Sequence, residues 1–382
     1  MSTDTLNVAG IAVSPHHYID GQRVASEMRF DLHSPIDQAL LGSISEGSPA
    51  HVDAAVTAAA RAFPAWSALT AAERKPYLDR FAAEIGKRAE AFCTLESNDA
   101  GVLLSRMKHG VVPRAMLNIS WFAEHALTLQ DRPIETEQAT HLVRHDPAGV
   151  VAIITPWNAP LMLATWKLGP ALAAGNCVIV KPPEWAPLTS SLLADCAHAA
   201  GLPPGVFNIV QGAGASTGAR LVSDPRLARI SFTGSVPTAK WIAQSAGANL
   251  VPCSLELGGK SPVFLGKDAD LKKAGERIAM GKMMNAGQIC LAPDYLYVPE
   301  EMEEGAVAAV QLGVHEMYPT LRDNDDYASI VSDRHFDRLK GLVEDAREKG
   351  AEVIEVNPAD EDFSNANSRK MPLTILRNVT DD

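Results

Sequence analysis

From Val150 onward the chain alternates short apolar runs with helical stretches, and this alternation restricts the fold more than any other feature. VVAIIT at 150–155, NCVIV at 176–180 and GVFNIV at 205–210 are near-continuous apolar runs, and RISFTGS at 229–235 reads as a fourth strand. Such runs suit strands buried on both faces. The segments between them read as helices: WKLGPALAAGN stopped by Gly175, SSLLADCAHAAG ending at Gly201, and residues 236–246 after RISFTGS. Strands alternating with helices predict an α/β fold with a parallel sheet covered on both faces. Ligands bind such sheets at the carboxyl ends of the strands. Those ends read TPWN, KPPE, QGAGAS and FTGS, each polar or glycine-containing. GAGASTG at 212–218 has G-x-G-x-x-x-G spacing rather than G-x-G-x-x-G, so a dinucleotide loop and an ordinary glycine-rich turn both stand.

The amino-terminal part reads as helical. Alanine-rich HVDAAVTAAARAF, His51 to Phe63, is expected to end before Pro64. TAAE at Thr70–Glu73 has the form of a capping box. The helix it opens carries Leu78, Phe81, Ile85 and Phe92 at near-helical spacing, and Pro76 is expected to kink its first turns.

A chain of 382 residues exceeds what one core serves, so two or three domains are expected. Its 46% hydrophobic and 21% charged content is that of a soluble globular protein. The net charge of −12 argues against nucleic-acid binding. Residues 300–382 hold 20 acidic and 9 basic residues, a net of −11, read as a solvated face. No stretch reaches the length of a membrane helix, and the first residues lack the pattern of a signal peptide. Cys93, Cys177, Cys196, Cys253 and Cys290 are odd in number and lack CxxC spacing, which predicts free thiols in a reducing, cytoplasmic compartment. HLVRH sets His141 and His145 four apart but lacks the HExxH glutamate, so no metal site is expected.

TPWN at 155–158, WKLGPALAAGN at 166–176, KPPE at 181–184, FTGS at 232–235, LELGGK at 255–260 and NAGQIC at 285–290 occur in one order over most of the chain. Together they resemble the NAD(P)-dependent aldehyde dehydrogenase superfamily. The resemblance implies a Rossmann-like cofactor domain from residues 1–126 and 147–257, an oligomerisation hairpin at 127–146, and an α/β catalytic domain at 258–382. It makes Cys290 the nucleophile, since a thiolate adds readily to an aldehyde carbonyl. The other four cysteines, in apolar or alanine-rich segments, are expected to be small buried hydrophobes. Gly287 and Gln288 would let the backbone before Cys290 approach a ligand. Asn158 matches the oxyanion donor. Glu256 matches the general base that activates water against a thioester, and burial would raise its basicity. Its presence favours hydrolysis to a free acid over transfer to coenzyme A. Lys167 either tunes that base or holds structure.

For the cofactor, the resemblance points to Lys181 and Glu184 at the adenosine ribose and to Gly234 and Ser235 opening the helix that faces the pyrophosphate. Thr155, Pro156, Trp157, Pro182, Gly214, Gly218, Phe232, Thr233, Leu257 and Gly258 complete the implied lining. Glu184 would repel a 2′-phosphate, so NAD is favoured, with NADP possible. Ala239 stands where many relatives have glycine. The implied partners are a small-molecule aldehyde and further copies of the chain, as a homodimer or homotetramer, with no nucleic acid and no membrane.

Two departures from the pattern set further expectations. Family chains continue past the position of Asp382, and no EEIFGP-like motif occurs here. The resemblance therefore implies an incomplete catalytic domain, loosely held beyond about Glu300, with MPLTILRNVTDD as a last strand. Residues before about 268 resemble hydroxymuconate-semialdehyde dehydrogenases, and those from about Ala269 the coniferyl-aldehyde branch. A natural intermediate and a chimera both stand. The substrate expected is an aromatic or unsaturated semialdehyde-type compound. An inactive remnant and a cofactor-independent esterase are the alternatives.

Overall fold

The computed structural model describes residues 4–129, 131–364 and 369–380. Residue 130 of the expected hairpin and the last two residues of the expected final strand lie outside the described residues. The chain divides into two compact units. One comprises the chain up to His33, Leu40–Ala100 and Leu104–Leu257; the other comprises Ser34–Ala39, Gly101–Leu103 and the chain from Gly258.

The first unit opens on six short strands, which corrects the helical reading of the amino-terminal part. They are β1 (Leu6–Val8), β2 (Ile11–Val13), β3 (His17–Ile19), β4 (Gln22–Val24), β5 (Arg29–His33) and β6 (Leu40–Ser45). Strands of three residues are too short to show a period. The readable signal was Asp20–Gly21, both at positive φ, which turns β3 into β4. α1 (Pro49–Ala68) runs through Pro64 instead of stopping before it. The proline removes one amide donor, but the extra turn buries Trp66 to 1% exposure, which offsets that loss.

α2 (Ala71–Lys87) begins at the expected capping box. The Thr70 amide donates to Glu73 Oε2 at 2.7 Å, and the Glu73 amide donates to Thr70 Oγ1 at 3.2 Å. Leu78, Phe81 and Ile85 are its buried stripe. Phe92, expected on the same helix, lies on the next one, α3 (Ala89–Ala100), because the chain breaks at Arg88. α4 (Leu104–Arg106) and α5 (Val112–His125) follow. β7 (Arg132–Glu135) and β8 (Thr140–Val143) then form an antiparallel hairpin with every strand residue exposed.

The alternating region follows as read: β9 (Val150–Ile154), α6 (Pro160–Ala173), β10 (Cys177–Lys181), α7 (Leu188–Ala199), β11 (Phe207–Ile209), α8 (Ala219–Val222), β12 (Leu227–Gly234), α9 (Val236–Gly247) and β13 (Cys253–Leu257). The sheet order is β13-β12-β9-β10-β11-β3-β4. β13 to β11 are mutually parallel, whereas β3 and β4 add an antiparallel edge that the sequence reading did not contain. β9 and β10 are buried along their whole length, which explains their continuous apolar sequence. α6 and α7, backed by α2, α3 and α5, form one group of helices; α1, α8 and α9 form another.

In the second unit β14 (Ser261–Phe264) pairs in parallel with β15 (Pro293–Tyr297), on either side of α10 (Leu271–Met283). α11 (Glu303–Met317), α12 (Asp333–Glu348), β16 (Glu352–Val356) and β17 (Leu373–Arg377) follow, with β16 and β17 antiparallel. The expectation of a loosely held segment beyond Glu300 is corrected here. Val314, Tyr318, Leu321, Tyr327 and Val356 form a buried cluster with Ala279 and Met283, and Leu373 and Ile375 pack against it. Among the described residues no helix is long and apolar enough to cross a membrane.

A buried histidine sets the acid limit of the first unit. The Gln211 amide donates to His17 Nδ1 at 3.1 Å, so that nitrogen must stay unprotonated. Burial, then the neighbouring His51 and His16, pushes its pKa down to about 3. A folded-state value below the unfolded one of about 6.5 means the stabilisation is complete above pH 6.5 and is lost as pH falls toward 3. The wild-type chain should lose ~2 kcal/mol from this group between pH 7 and pH 5, read as a fall in the urea midpoint. His17→Gln should show a smaller fall; equal falls in both proteins would contradict the assignment.

Candidate active site

The chain moves outward from β9 to β10 and β11, then returns to the other side of β9 for β12 and β13. The strand order therefore reverses between β9 and β12, the place where open α/β sheets bind ligands. TPWN ends β9 and FTGS ends β12, so these two motifs flank the reversal; KPPE and LELGG end the neighbouring β10 and β13.

At the β10 end Lys181 is 2% exposed, and its Nζ donates to Glu184 Oε2 at 3.0 Å. Burial lowers the Lys181 pKa, while the Glu184 and Glu46 carboxylates oppose that fall. Burial pushes the Glu184 carboxyl up. The Lys181 ammonium and the backbone amides of Glu184 and Gly214 outweigh it, so its pKa is lowered and it stays ionised. A buried ammonium with a partly exposed carboxylate suits a vicinal diol, which offers donors and acceptors together. Pro182 lies buried beside them. Trp185, which the sequence reading passed over, sets its ring 6.4 Å from that of Trp157 and links the KPPE and TPWN loops.

The turn carrying Gly214 and Gly218 is filled by a residue the sequence did not flag. The Glu46 carboxylate accepts from the Ala213 amide at 3.1 Å, from Ser216 Oγ at 2.6 Å and from Thr217 Oγ1 at 3.2 Å. The amide end of this glycine-rich segment thus faces an internal anion.

The β12 end carries Phe232, Thr233, Gly234 and Ser235. A side chain at Gly234 would lie 2.5 Å from the Phe232 ring, so a larger residue there would force that ring to move. Ser235 Oγ accepts from the Thr238 amide and caps α9. Ala239 fits within that helix at 2% exposure. Thr155 Oγ1 and Thr233 Oγ1 are buried hydroxyls without a hydrogen-bond partner inside the protein. Orphaned polar atoms on both strands at the reversal, beside the Lys181–Glu184 pair, fit a polar ligand such as a nucleotide cofactor.

Asn158 lies on the loop between β9 and α6. Lys167, on α6, donates from Nζ to Ser231 Oγ on β12 at 3.1 Å. Burial lowers its pKa, and the Glu256 carboxylate pulls against that shift, so Lys167 interacts with both the sheet and Glu256. Glu256 itself is exposed, near the carboxyl end of β13, which corrects the expectation that burial would raise its basicity. Leu257 ends the strand, and Gly258 is exposed with open space around it.

Cys290 belongs to the second unit and is exposed, unlike the other four cysteines. Cys93, Cys177 and Cys196 are buried as expected. Cys253 is only partly so, because its strand forms the sheet edge. Burial raises the pKa of these four thiols, to about 12 for Cys177 and Cys196. The run before Cys290 has an unusual backbone. Asn285, Ala286 and Gly287 all have positive φ, a conformation that costs energy at the two non-glycine positions. Gln288 holds it in place: its amide donates to the Asn285 and Ser329 carbonyls at 3.0 Å, and its Oε1 accepts from the Val331 amide at 2.9 Å. Gly259 makes room for the Cys290 backbone, since a Cβ there would lie 2.6 Å from the Cys290 carbonyl oxygen. The hexapeptide that carries Glu256 thus also carries a glycine that Cys290 requires.

A sequence profile of the aldehyde dehydrogenase family matches residues 22–382. A probable coniferyl aldehyde dehydrogenase of Caulobacter vibrioides is 45% identical over 240 residues, covering 63% of this chain and 49% of that protein. The 2-hydroxymuconic semialdehyde dehydrogenase of Pseudomonas sp. strain CF600 is 35% identical over 349 residues, 88% of this chain and 72% of that one. The chain spans about half the length of the first relative. The 349-residue alignment is longer than either side of residue 268, so that likeness spans it, and the 240-residue alignment is longer than the segment that follows residue 268, so the coniferyl-type likeness is not confined to that segment. The fold superposes on the P. syringae indole-3-acetaldehyde dehydrogenase AldA, solved with NAD+ and IAA, with a TM-score of 0.91 and 29% identity over 97% of this chain and 77% of that one.

Proposed function

Because the chain belongs to the aldehyde dehydrogenase family, we propose that it oxidises an aldehyde to a carboxylic acid, with Cys290 as nucleophile and NAD as cofactor. The observation that carries this reading is the exposed, braced thiol of Cys290 in a chain whose other cysteines are all at least partly buried. Lys181 and Glu184 would hold the adenosine ribose, and Thr155, Thr233 and the amino end of α9 the rest of the nucleotide. Bound there, the cofactor supplies a hydride acceptor.

The protein's own residues handle the remaining chemistry. The Cys290 thiolate adds to the carbonyl carbon and gives a thiohemiacetal whose oxygen carries negative charge. The Asn158 amide donates to that oxygen. Loss of hydride leaves a thioester on Cys290. Glu256 takes a proton from water as the water attacks the thioester, and the acid departs as the thiolate is restored. Lys167, which interacts electrostatically with Glu256, would help to position that carboxylate. An aromatic or unsaturated semialdehyde-type substrate follows from the names of the relatives. The exposed Ile134, Leu142 and Val143 of the β7–β8 hairpin suit contact with another copy of the chain, and the thiol pattern suits the cytoplasm.

The test is aldehyde-dependent NADH formation by the 382-residue chain, followed at 340 nm with a coniferyl-type aldehyde and a muconic-type semialdehyde. Asn158→Ala should lower the rate ~10²–10³-fold while NAD binding by calorimetry stays near wild type. Absence of NADH with every aldehyde, or full activity in the Asn158 variant, would overturn the reading.

A further inference from the structure

Two carboxyls on α3 join the TPWN and KPPE loops, and no step above uses them. The loops share an ending: 155–160 closes on Ala159–Pro160 before α6, and 181–187 closes on Ala186–Pro187 before α7. Alanine and proline have no side-chain oxygen, so neither helix caps its own amino end, and neither shows a side-chain cap from its own N-cap residue. The caps come from elsewhere. The Leu161 amide, the first that α6 has to offer after Pro160, donates to Glu96 Oε2 at 2.9 Å. The Leu188 amide, first in α7, donates to Asp99 Oδ2 at 2.8 Å.

Glu96 and Asp99 stand three residues apart on α3, one turn along the same face. They are 0% and 1% exposed. Burying two carboxyls one turn apart is costly unless they hold something in place. Burial pushes Glu96 up to about 7, against the Leu161 amide, the Thr189 hydroxyl and the Arg106 guanidinium. Burial and the nearby Glu96 push Asp99 well above the usual carboxylate range.

We propose that Glu96 and Asp99 are positioning residues: Glu96 sets the loop carrying Asn158, Asp99 sets the loop carrying Lys181 and Glu184, and the single rigid helix α3 fixes the two loops relative to each other. The proposal rests on the use of those loops given above. It predicts a division of labour. Loss of the Glu96 cap disturbs the oxyanion donor and so the chemical step. Loss of the Asp99 cap disturbs the adenosine side and so affinity.

The test compares Glu96→Ala and Asp99→Ala with the conservative Glu96→Gln and Asp99→Asn in the full 382-residue chain. Amide hydrogen exchange is followed by mass spectrometry, ADP-ribose binding by calorimetry, and kcat and KM with NAD and aldehyde. Glu96→Ala should speed exchange around Leu161 and lower kcat by about 10-fold or more, the scale of a small misplacement at the reacting centre, with ADP-ribose affinity retained. Asp99→Ala should speed exchange around Leu188 and weaken ADP-ribose binding by about 10-fold, with the loss appearing in KM. The amide variants keep an acceptor oxygen and should restore both. If an alanine variant does not fold, Glu96→Met or Asp99→Leu removes the acceptor while filling the space. Equal losses in kcat and affinity from both sites, tracking the melting temperature, would overturn the proposal, as would unchanged local exchange. If the wild-type chain oxidises no aldehyde, the proposed function fails. The exchange and ADP-ribose results then still decide the roles of Glu96 and Asp99.

Discussion

Cys290→Ala should abolish aldehyde oxidation, with a rate loss of at least ~10⁴-fold, on the scale of removing the nucleophile of a covalent enzyme. No other thiol is placed to take over. Cys177 and Cys196 are fully buried, and their thiols are pushed up to about 12. Burial likewise raises Cys93 and Cys253. The variant should fold, because the Cys290 side chain is exposed and its loop is braced through Gln288. NAD binding should be unchanged, since the residues proposed to hold the nucleotide lie at the carboxyl ends of β9, β10 and β12 and at the start of α9. Cys177→Ala should do the reverse, lowering stability through lost core packing while leaving kcat near wild type. The check is kcat, NAD affinity and melting temperature on both variants. Residual oxidation above a few per cent in the Cys290 variant would remove this residue from the mechanism.

Glu256→Gln should separate two phases of the reaction. The first turnover needs the thiolate and the Asn158 amide, so a stoichiometric burst of NADH should survive. Steady turnover should fall by ~10²–10⁴-fold, the usual contribution of a general base, because the thioester then waits for unactivated water. Glutamine keeps the size of the exposed side chain, so stability should change little. Stopped-flow absorbance at 340 nm distinguishes the outcomes. An unchanged steady-state rate, or a burst lost along with it, would contradict the assigned role.

What could be read from the sequence divides along physical lines. β9 and β10 were legible because a strand covered on both faces must be apolar throughout, and the helices that follow them end near glycines. The Thr70–Glu73 cap was legible because it is wholly local. The turn of α1 beyond Pro64 was not, since the gain that offsets the proline is the tertiary burial of Trp66. The six opening strands were missed because most of them are three residues long.

The candidate site shows the same division. Its motifs were visible, but the residues that hold them were not. Gln288 reads as one more polar residue until its amide is found between Asn285, Ser329 and Val331. Glu46, Glu96 and Asp99 look like ordinary surface acids, because neither their burial nor their amide partners leave any pattern in the sequence. Glu256 was misjudged in the other direction: β13 sits at the sheet edge, which leaves its carboxylate exposed.

The central claim is that oxidation proceeds through an acyl group carried on Cys290, and the most direct measurement is the mass of that species. The Glu256→Gln chain should be mixed with NAD and an aldehyde, quenched in acid within the burst phase, and weighed intact and after proteolysis. The account predicts a gain equal to the aldehyde less two hydrogens, mapped to Cys290, dependent on NAD and matched by one equivalent of NADH. An acyl gain on another residue, the same gain without NAD, or NADH formed with no covalent species would contradict it.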